Sequence, residues 1–234
     1  MTDDKVQCKI QGEGRRFWII GAGRFGRIAV DRITARIAGA MITVVDLEAQ
    51  AFDQEDITTV RQNGIQWLAD RLAPDAAVDI VIPAIPVHLA AEWLKCRLSR
   101  HYQITSLTIP KTWLARLPHA MPGTHGRAYV SHADFICPDD CPEPSTICTR
   151  TGSPRPMDMF RLLAGLNLPG VTPIVLRSRQ LLPGVGGIRP SDLLDALESA
   201  RTCTTGPLMI ATACRCHGVV DLLRLESPEP KRVS

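Results

Sequence analysis

Apolar positions along the chain recur with two periods, and the switch between them lays out the elements. Phe17-Trp18-Ile19-Ile20 is a short apolar run that predicts a strand. Gly26, Ala29, Val30, Ile33 and Ile37 then recur at helical spacing, and residues 41–45 predict a second strand. Residues 48–63 are polar, with room for a short helix, and residues 65–72 fit a helix or a short strand. Residues 78–85 read as a buried strand. Pro86 suits the first turn of a following helix, whose apolar face is Leu89, Ala90, Trp93, Leu94 and Leu98. Residues 104–109 and 127–136 predict two further strands. The alternation of strands and helices over residues 16–135 predicts an α/β fold, a doubly wound parallel sheet of Rossmann-like type.

Residues 136–225 continue as an α/β extension, open to being continuous with the first sheet. A cysteine-containing, proline-rich loop leads into a helix at 157–166 and a strand at 171–176. A glycine loop at 183–189 precedes a helix that starts at Pro190 and packs through Leu193, Leu194, Leu197 and Ala200. A strand at 208–212 and a short helix at 219–225 complete the pattern. Residues 1–15 and 226–234 are polar tails.

The first turn carries the most specific chemistry. Gly21, Gly23 and Gly26 have the G-x-G-x-x-G spacing directly after a strand and open a helix. The first glycine permits the tight turn, the second lets a pyrophosphate approach the backbone, and the third lets the helix lie close on the sheet. The helix N-terminus, with Arg24 and Phe25 in its first turn, offers N–H groups and the positive end of its dipole to a phosphate. Asp46 ends the second strand, where an acid can accept hydrogen bonds from an adenosine ribose and repel a 2′-phosphate. No arginine follows it closely, so NAD(H) is expected over NADP(H).

Ile20-Gly21-Ala22-Gly23-Arg24-Phe25-Gly26, followed by Val44-Val45-Asp46, resembles the nucleotide-binding domain of potassium-uptake regulators of the RCK or KTN type over about residues 16–135. The resemblance implies that Gly21, Gly23, Gly26 and Asp46 hold NAD(H) or another adenine nucleotide, and that the protein forms a homodimer. The C-terminal half has no counterpart of that family's usual ligand domain.

Composition narrows the function classes. The 234 residues are 45% hydrophobic and 22% charged, with a net charge of +3. That is an ordinary globular balance and too little charge to argue for nucleic acid. No basic run is interleaved with aromatics, the polar start is unlike a signal peptide, and no apolar stretch approaches a membrane span. A cytoplasmic protein is expected. Eight cysteines in such a compartment point to metal or redox chemistry ahead of disulfides.

Cys137, Cys141 and Cys148 are spaced C-x3-C-x6-C, and Cys214, Cys216 and His217 form C-x-C-H. Thiolates and imidazole suit zinc or an iron–sulfur cluster. Each group directly follows an expected strand. If those strands share a parallel sheet, both groups surface on the rim that carries the glycine turn. Buried reduced thiols and a reversible disulfide are the alternatives. Arg177, Arg179 and Arg189 flank the glycine loop, an arrangement suited to an anion. His88 and Lys111 lie at strand ends and are the only candidates for a catalytic acid or base. Cys8, Cys96 and Cys203 carry no assigned role.

Two functions fit this set. One is an NAD(H)-binding redox protein, an NAD-dependent oxidoreductase in enzyme terms, with a cysteine-ligated centre near the cofactor cleft and a redox partner or anionic substrate. The other is a non-enzymatic nucleotide-sensing regulator acting on a potassium transporter, with structural zinc.

Overall fold

A computed structural model describes residues 14–48, 52, 56–203 and 206–227. Cys8 and both expected tails fall outside these residues, wholly or in large part. The chain opens as expected, with β1 (Arg16–Ile20), α1 (Arg24–Arg36) and β2 (Met41–Asp46). Strand β3 (Ile57–Arg61) and helix α2 (Gly64–Arg71) follow, then β4 (Ile80–Pro83) and α3 (Leu89–Leu98). Strands β3-β2-β1-β4 form a parallel sheet in that order, so the protein has a Rossmann-like α/β fold.

The remaining strands build a second sheet. They are β5 (Gln103–Leu107), β6 (Met121–Pro122), β7 (Ala128–Ser131), β8 (Thr172–Arg177), β11 (Leu208–Ala213) and β12 (His217–Glu226). Their order is β6-β7-β12-β11-β8, and β5 pairs the far half of β12. All these pairings are antiparallel except β8 with β11. Helices α4 (Lys111–Leu114), α5 (Met159–Ala164) and α6 (Pro190–Thr202) complete the fold, with the hairpin of β9 (Arg179–Leu182) and β10 (Val185–Gly187).

Three expectations change. The strands expected at 104–109 and 127–136 do not close the first sheet; as β5 and β7 they pair antiparallel with β12. The helix expected at 219–225 is most of β12, a ten-residue strand. The glycine loop at 183–189 is largely a hairpin, whose end meets the first sheet where Val81 and Ile188 exchange backbone hydrogen bonds.

Side-chain alternation sends each strand into two cores. In β1, Phe17 and Ile19 face α1, whereas Ile20 faces the other way. That second face shares one core with α2, α3, α6 and Leu208, Ile210 and Leu223 of the second sheet. Helices α2, α3 and α6 therefore lie between the sheets. Helix α3 is the most enclosed, burying Leu89, Ala90, Ala91, Trp93, Leu94 and Leu98. The outer face of the second sheet is covered by α5 and the short α4.

One polar cluster interrupts this layer. His88, 3% exposed, precedes α3 and places Nδ1 2.7 Å from Asp221 Oδ2 and Nε2 2.8 Å from Thr212 Oγ1. Arg127 donates from Nε to Asp221 at 3.0 Å and from Nη2 to Glu92 at 3.2 Å. A carboxylate only accepts, so Nδ1 of His88 carries the proton and Nε2 accepts from the Thr212 hydroxyl. Burial pushes the His88 pKa down, and the bond to Asp221 restores only part of it. Burial alone would raise Asp221, but the bonds from His88 and Arg127 outweigh it and hold the carboxyl below its usual range. His88, a sequence candidate for proton transfer, is thus engaged on both ring nitrogens inside the core.

Two outcomes follow. Asp221→Ala should lower stability by about 3–5 kcal/mol in urea unfolding, because Arg127 loses its buried partner. Unfolded His88 takes up a proton below about pH 6.5 while the folded imidazole resists it, so the unfolded state binds more protons. Stability should therefore fall as pH drops below about 6.5, and fall again in the acid range where unfolded Asp221 protonates. Urea midpoints across pH should show the first loss in the native chain and a smaller one in His88→Gln, where His132 and His217, also lowered by burial, still contribute.

Candidate functional site

The glycine turn separates structural need from ligand need. Gly21 has φ +111°, and a Cβ there would lie 2.4 Å from the Ala84 carbonyl oxygen. A Cβ on Gly26 would lie 2.0 Å from the Gly21 carbonyl oxygen. Both glycines are required by the fold itself. Gly23 is different: its φ of −69° is open to any residue, and a Cβ would meet nothing within 4 Å. Gly23 is the N-cap of α1, a position that glycine suits, and its surroundings leave open space beside the turn.

Asp46 closes the same turn. Its Oδ2 accepts from the Ala22 N–H at 2.8 Å and its Oδ1 from the Glu48 N–H at 2.9 Å. Each oxygen keeps a further acceptor site. Arg61 stands beside Asp46 in register on β3 and is exposed, an arginine that spacing along the chain did not reveal. Arg24 and Phe25 open α1. Phe25 is 56% exposed and reaches the neighbouring cleft.

That cleft, of about 300 Å³, is lined by Phe25, Cys137, Cys141, Cys214, Cys216 and His217, among others. Two cysteine groups far apart in sequence therefore meet beside the glycine turn, although both follow strands of the second sheet, whereas the glycine turn belongs to the first. Cys148 does not line the cleft. Lys111 opens α4, exposed and away from it.

The second cysteine group is the tip of the β11–β12 hairpin. The Cys214 N–H bonds the His217 carbonyl at 2.9 Å, which leaves Arg215 and Cys216 as a two-residue turn. Neighbours hold the tip firmly. The Met159 and Phe160 N–H groups at the start of α5 donate to the Arg215 and Cys214 carbonyls, and the His132 N–H donates to that of Cys216. The Arg215 N–H donates to Glu143, and its guanidinium pairs with Asp158 at 3.2 Å. Arg155 donates to Cys216 Sγ from Nε at 3.3 Å and Nη2 at 3.1 Å, and also binds the Pro144 and Ser145 carbonyls.

The first cysteine group lies on a loop tied to α1 and to the β9–β10 hairpin. Asp139 pairs with Arg24, and its carbonyl accepts from Arg32 Nη1 at 2.8 Å. The Cys141 carbonyl accepts from Gln180 Nε2 at 2.6 Å and from the Gly184 N–H at 3.3 Å.

The thiols differ in electrostatics. Burial raises Cys214, Cys216 and Cys137, the last also through the nearby thiols of Cys141, Cys216 and Cys148. Backbone N–H groups of Thr151 and Arg150, together with the Thr151 hydroxyl, lower Cys148. His217 Nε2 lies 3.5 Å from Cys137 Sγ and its Nδ1 3.8 Å from Cys214 Sγ, so the ring sits between the two thiols. As these side chains are packed, no group of three or more ligating residues among the described residues is arranged to hold an ion. The described cysteines form no disulfide.

Of the arginines of the expected anion site, Arg177 and Arg179 line one cleft, and Arg189 is not among its lining residues. Arg177 lies over the Phe160 ring, its Cζ 4.5 Å from the centroid, whereas Arg179 pairs with Asp192 of α6. Arg189 offers its carbonyl to the first turn of α6. Sequence reading also passed over Arg155, Glu143 and Asp158, whose roles rest on contacts from distant parts of the chain.

A family model described as "Uncharacterized protein, C-terminal domain" matches residues 90–226, more than half of the chain. This chain belongs to that family. The family segment runs from α3 through β12 and contains every thiol of the cleft. A protein of Archaeoglobus fulgidus, itself described as an uncharacterized protein, is 26% identical over 228 residues, covering 88% of this chain and 98% of its own length. No solved structure matches the chain. No helix among the described residues is long and apolar enough to cross a membrane.

The glycines give a direct test of the site's anatomy. Gly26→Ala should destabilise the protein by about 1–3 kcal/mol through overpacking. Gly23→Ala should cost less, about 0.5–1 kcal/mol, because it replaces a favoured N-cap residue without a clash. Thermal unfolding of the two variants side by side checks both.

Proposed function

We propose that the protein is an NAD(H)-binding redox protein whose cofactor lies over the glycine turn, with its reactive end toward the thiol-lined cleft. The observation that carries the reading is the open space around Gly23, the N-cap residue, directly beside the N-terminus of α1. The N-terminus of α1 supplies N–H groups for the pyrophosphate, and Asp46 presents spare acceptor sites to the ribose hydroxyls. The resemblance to RCK-type nucleotide domains supports the same placement.

A bound nicotinamide would supply hydride chemistry. The chain's own residues would orient it: Gly21 and Gly26 shape the turn, Asp46 fixes the adenosine end, and Phe25 borders the cleft. His88 is buried in the core and is not among the residues that line the cleft.

NADH fluorescence titration tests this reading. The native chain should bind NADH, and Arg61→Ala should widen its preference for NADH over NADPH, because Asp46 repels a 2′-phosphate while Arg61 beside it attracts one. Gly23→Val should lose at least about tenfold in affinity, since its side chain occupies the pyrophosphate position, while it remains folded at the temperature of the titration. Equal binding by Gly23→Val, or no NADH binding by the native chain, would sink the proposal.

A further inference from the structure

We propose that the cleft is a metal centre in which Cys137 and Cys141 of the loop and Cys214 and Cys216 of the hairpin bind one zinc-class cation as thiolates. The site uses side chains other than those facing the dinucleotide, so it stands or falls separately from NAD(H) binding.

The first argument is convergence. The four thiols come from two segments separated by more than seventy residues, yet they line one cleft. Each segment is fixed by contacts that do not involve sulfur. The hairpin tip is held by the first turn of α5, His132, Glu143 and Asp158. The loop is held by Arg24, Arg32, Gln180 and Gly184. Ligands already positioned in this way lose little conformational freedom when an ion arrives.

The second argument is the set of donors aimed at sulfur. The N–H groups of Cys216 and His217 point at Cys214 Sγ, at 3.4 and 3.3 Å. Arg155 points two N–H groups at Cys216 Sγ. A neutral thiol is a weak acceptor, whereas a thiolate is a strong one. Four N–H donors on two sulfurs are an outer shell suited to charged sulfur, the kind of support that orients and tunes metal ligands. Arg155 also places a positive charge beside a centre of four thiolates and one dication, which would otherwise carry two negative charges.

Loading the site requires the four sulfurs to draw together, because as packed they do not form an ion-holding group. One imidazole ring cannot join both neighbouring sulfurs to a single ion, so His217 turns outward, and it is exposed. The sulfurs close on the cation to give tetrahedral S₄ coordination, which suits zinc. The step involves no electron transfer. Four thiols each release a proton, four sulfur–metal bonds form, and the uptake is favoured by rising pH.

Cobalt(II) reports on such a site. Titrating Co²⁺ into the full-length chain under anaerobic conditions should produce thiolate-to-cobalt charge transfer and tetrahedral d–d bands at one equivalent, and Zn²⁺ should bleach them. Cys141→Ser and Cys214→Ser, with folding checked by circular dichroism, should each weaken uptake by at least about 10- to 100-fold. Cys96→Ser and Cys203→Ser should leave it unchanged. Alkylation of the native chain gives a readout that needs no variant: Zn²⁺ should protect the four cleft cysteines and leave Cys96 reactive. Absent cobalt bands, with the four thiols equally alkylated with and without Zn²⁺, would overturn the metal centre even if NADH binds. Iron with acid-labile sulfide in the purified protein would overturn the mononuclear zinc-class assignment. Cobalt bands without NADH binding would support the metal centre and refute the nucleotide reading.

Discussion

A single buried carboxylate governs how the two halves of this protein meet. Asp221 sits in the middle of β12, on the face that looks across the helical layer, and receives His88 from one half and Arg127 from the other. The surrounding contacts are leucine, isoleucine, alanine and tryptophan, which fill space without choosing an orientation. The polar cluster does choose: an uncompensated charge in that layer is costly, so the sheets are held to the alignment that satisfies all partners. The cleft inherits that alignment, because β4 leads to His88 and β11 leads through Thr212 to the thiol hairpin.

Much of the first half was legible because each element there has one dry face. The stripe from Gly26 to Ile37 in α1, the runs of β1 and β2, and the closing Asp46 have a single consistent reading. Helix α3 was also visible, through Leu89 to Leu98. Strand β12 was misread for a physical reason. Val219-Val220-Asp221-Leu222-Leu223-Arg224-Leu225 is apolar toward both neighbouring layers, so its period of two is masked, and Asp221 looked like the polar face of a short helix. The sheet membership of β5 and β7 is decided by β12, whose register partners lie 86 to 92 residues from those of β7, and local pattern carries no trace of it.

The site divides in the same way. Cysteine positions after strands signalled convergence, and the residues do share a cleft, but the reason given was a single parallel rim. The actual route is an antiparallel hairpin of the second sheet and a loop that follows β7 of the same sheet. The expected anion site divides: Arg177 and Arg179 stay together along one cleft, although Arg177 lies over the Phe160 ring and Arg179 pairs with Asp192, and Arg189 does not join them. Arg155, which binds Cys216 and two loop carbonyls, was read only as part of a proline-rich stretch because its partners lie elsewhere in the chain.

The place where the family match begins has a bearing on what counts as an independent piece. Residue 90 falls inside α3, two positions beyond His88. A fragment cut at that point would keep every cleft thiol but leave behind the imidazole that meets Asp221, together with Arg24 and Arg32, which fasten Asp139. Its interior would also lose the β1, β2 and β4 side chains that cover one flank of α3 and α6. The segment recognisable by descent is therefore narrower than the segment that can close its own core.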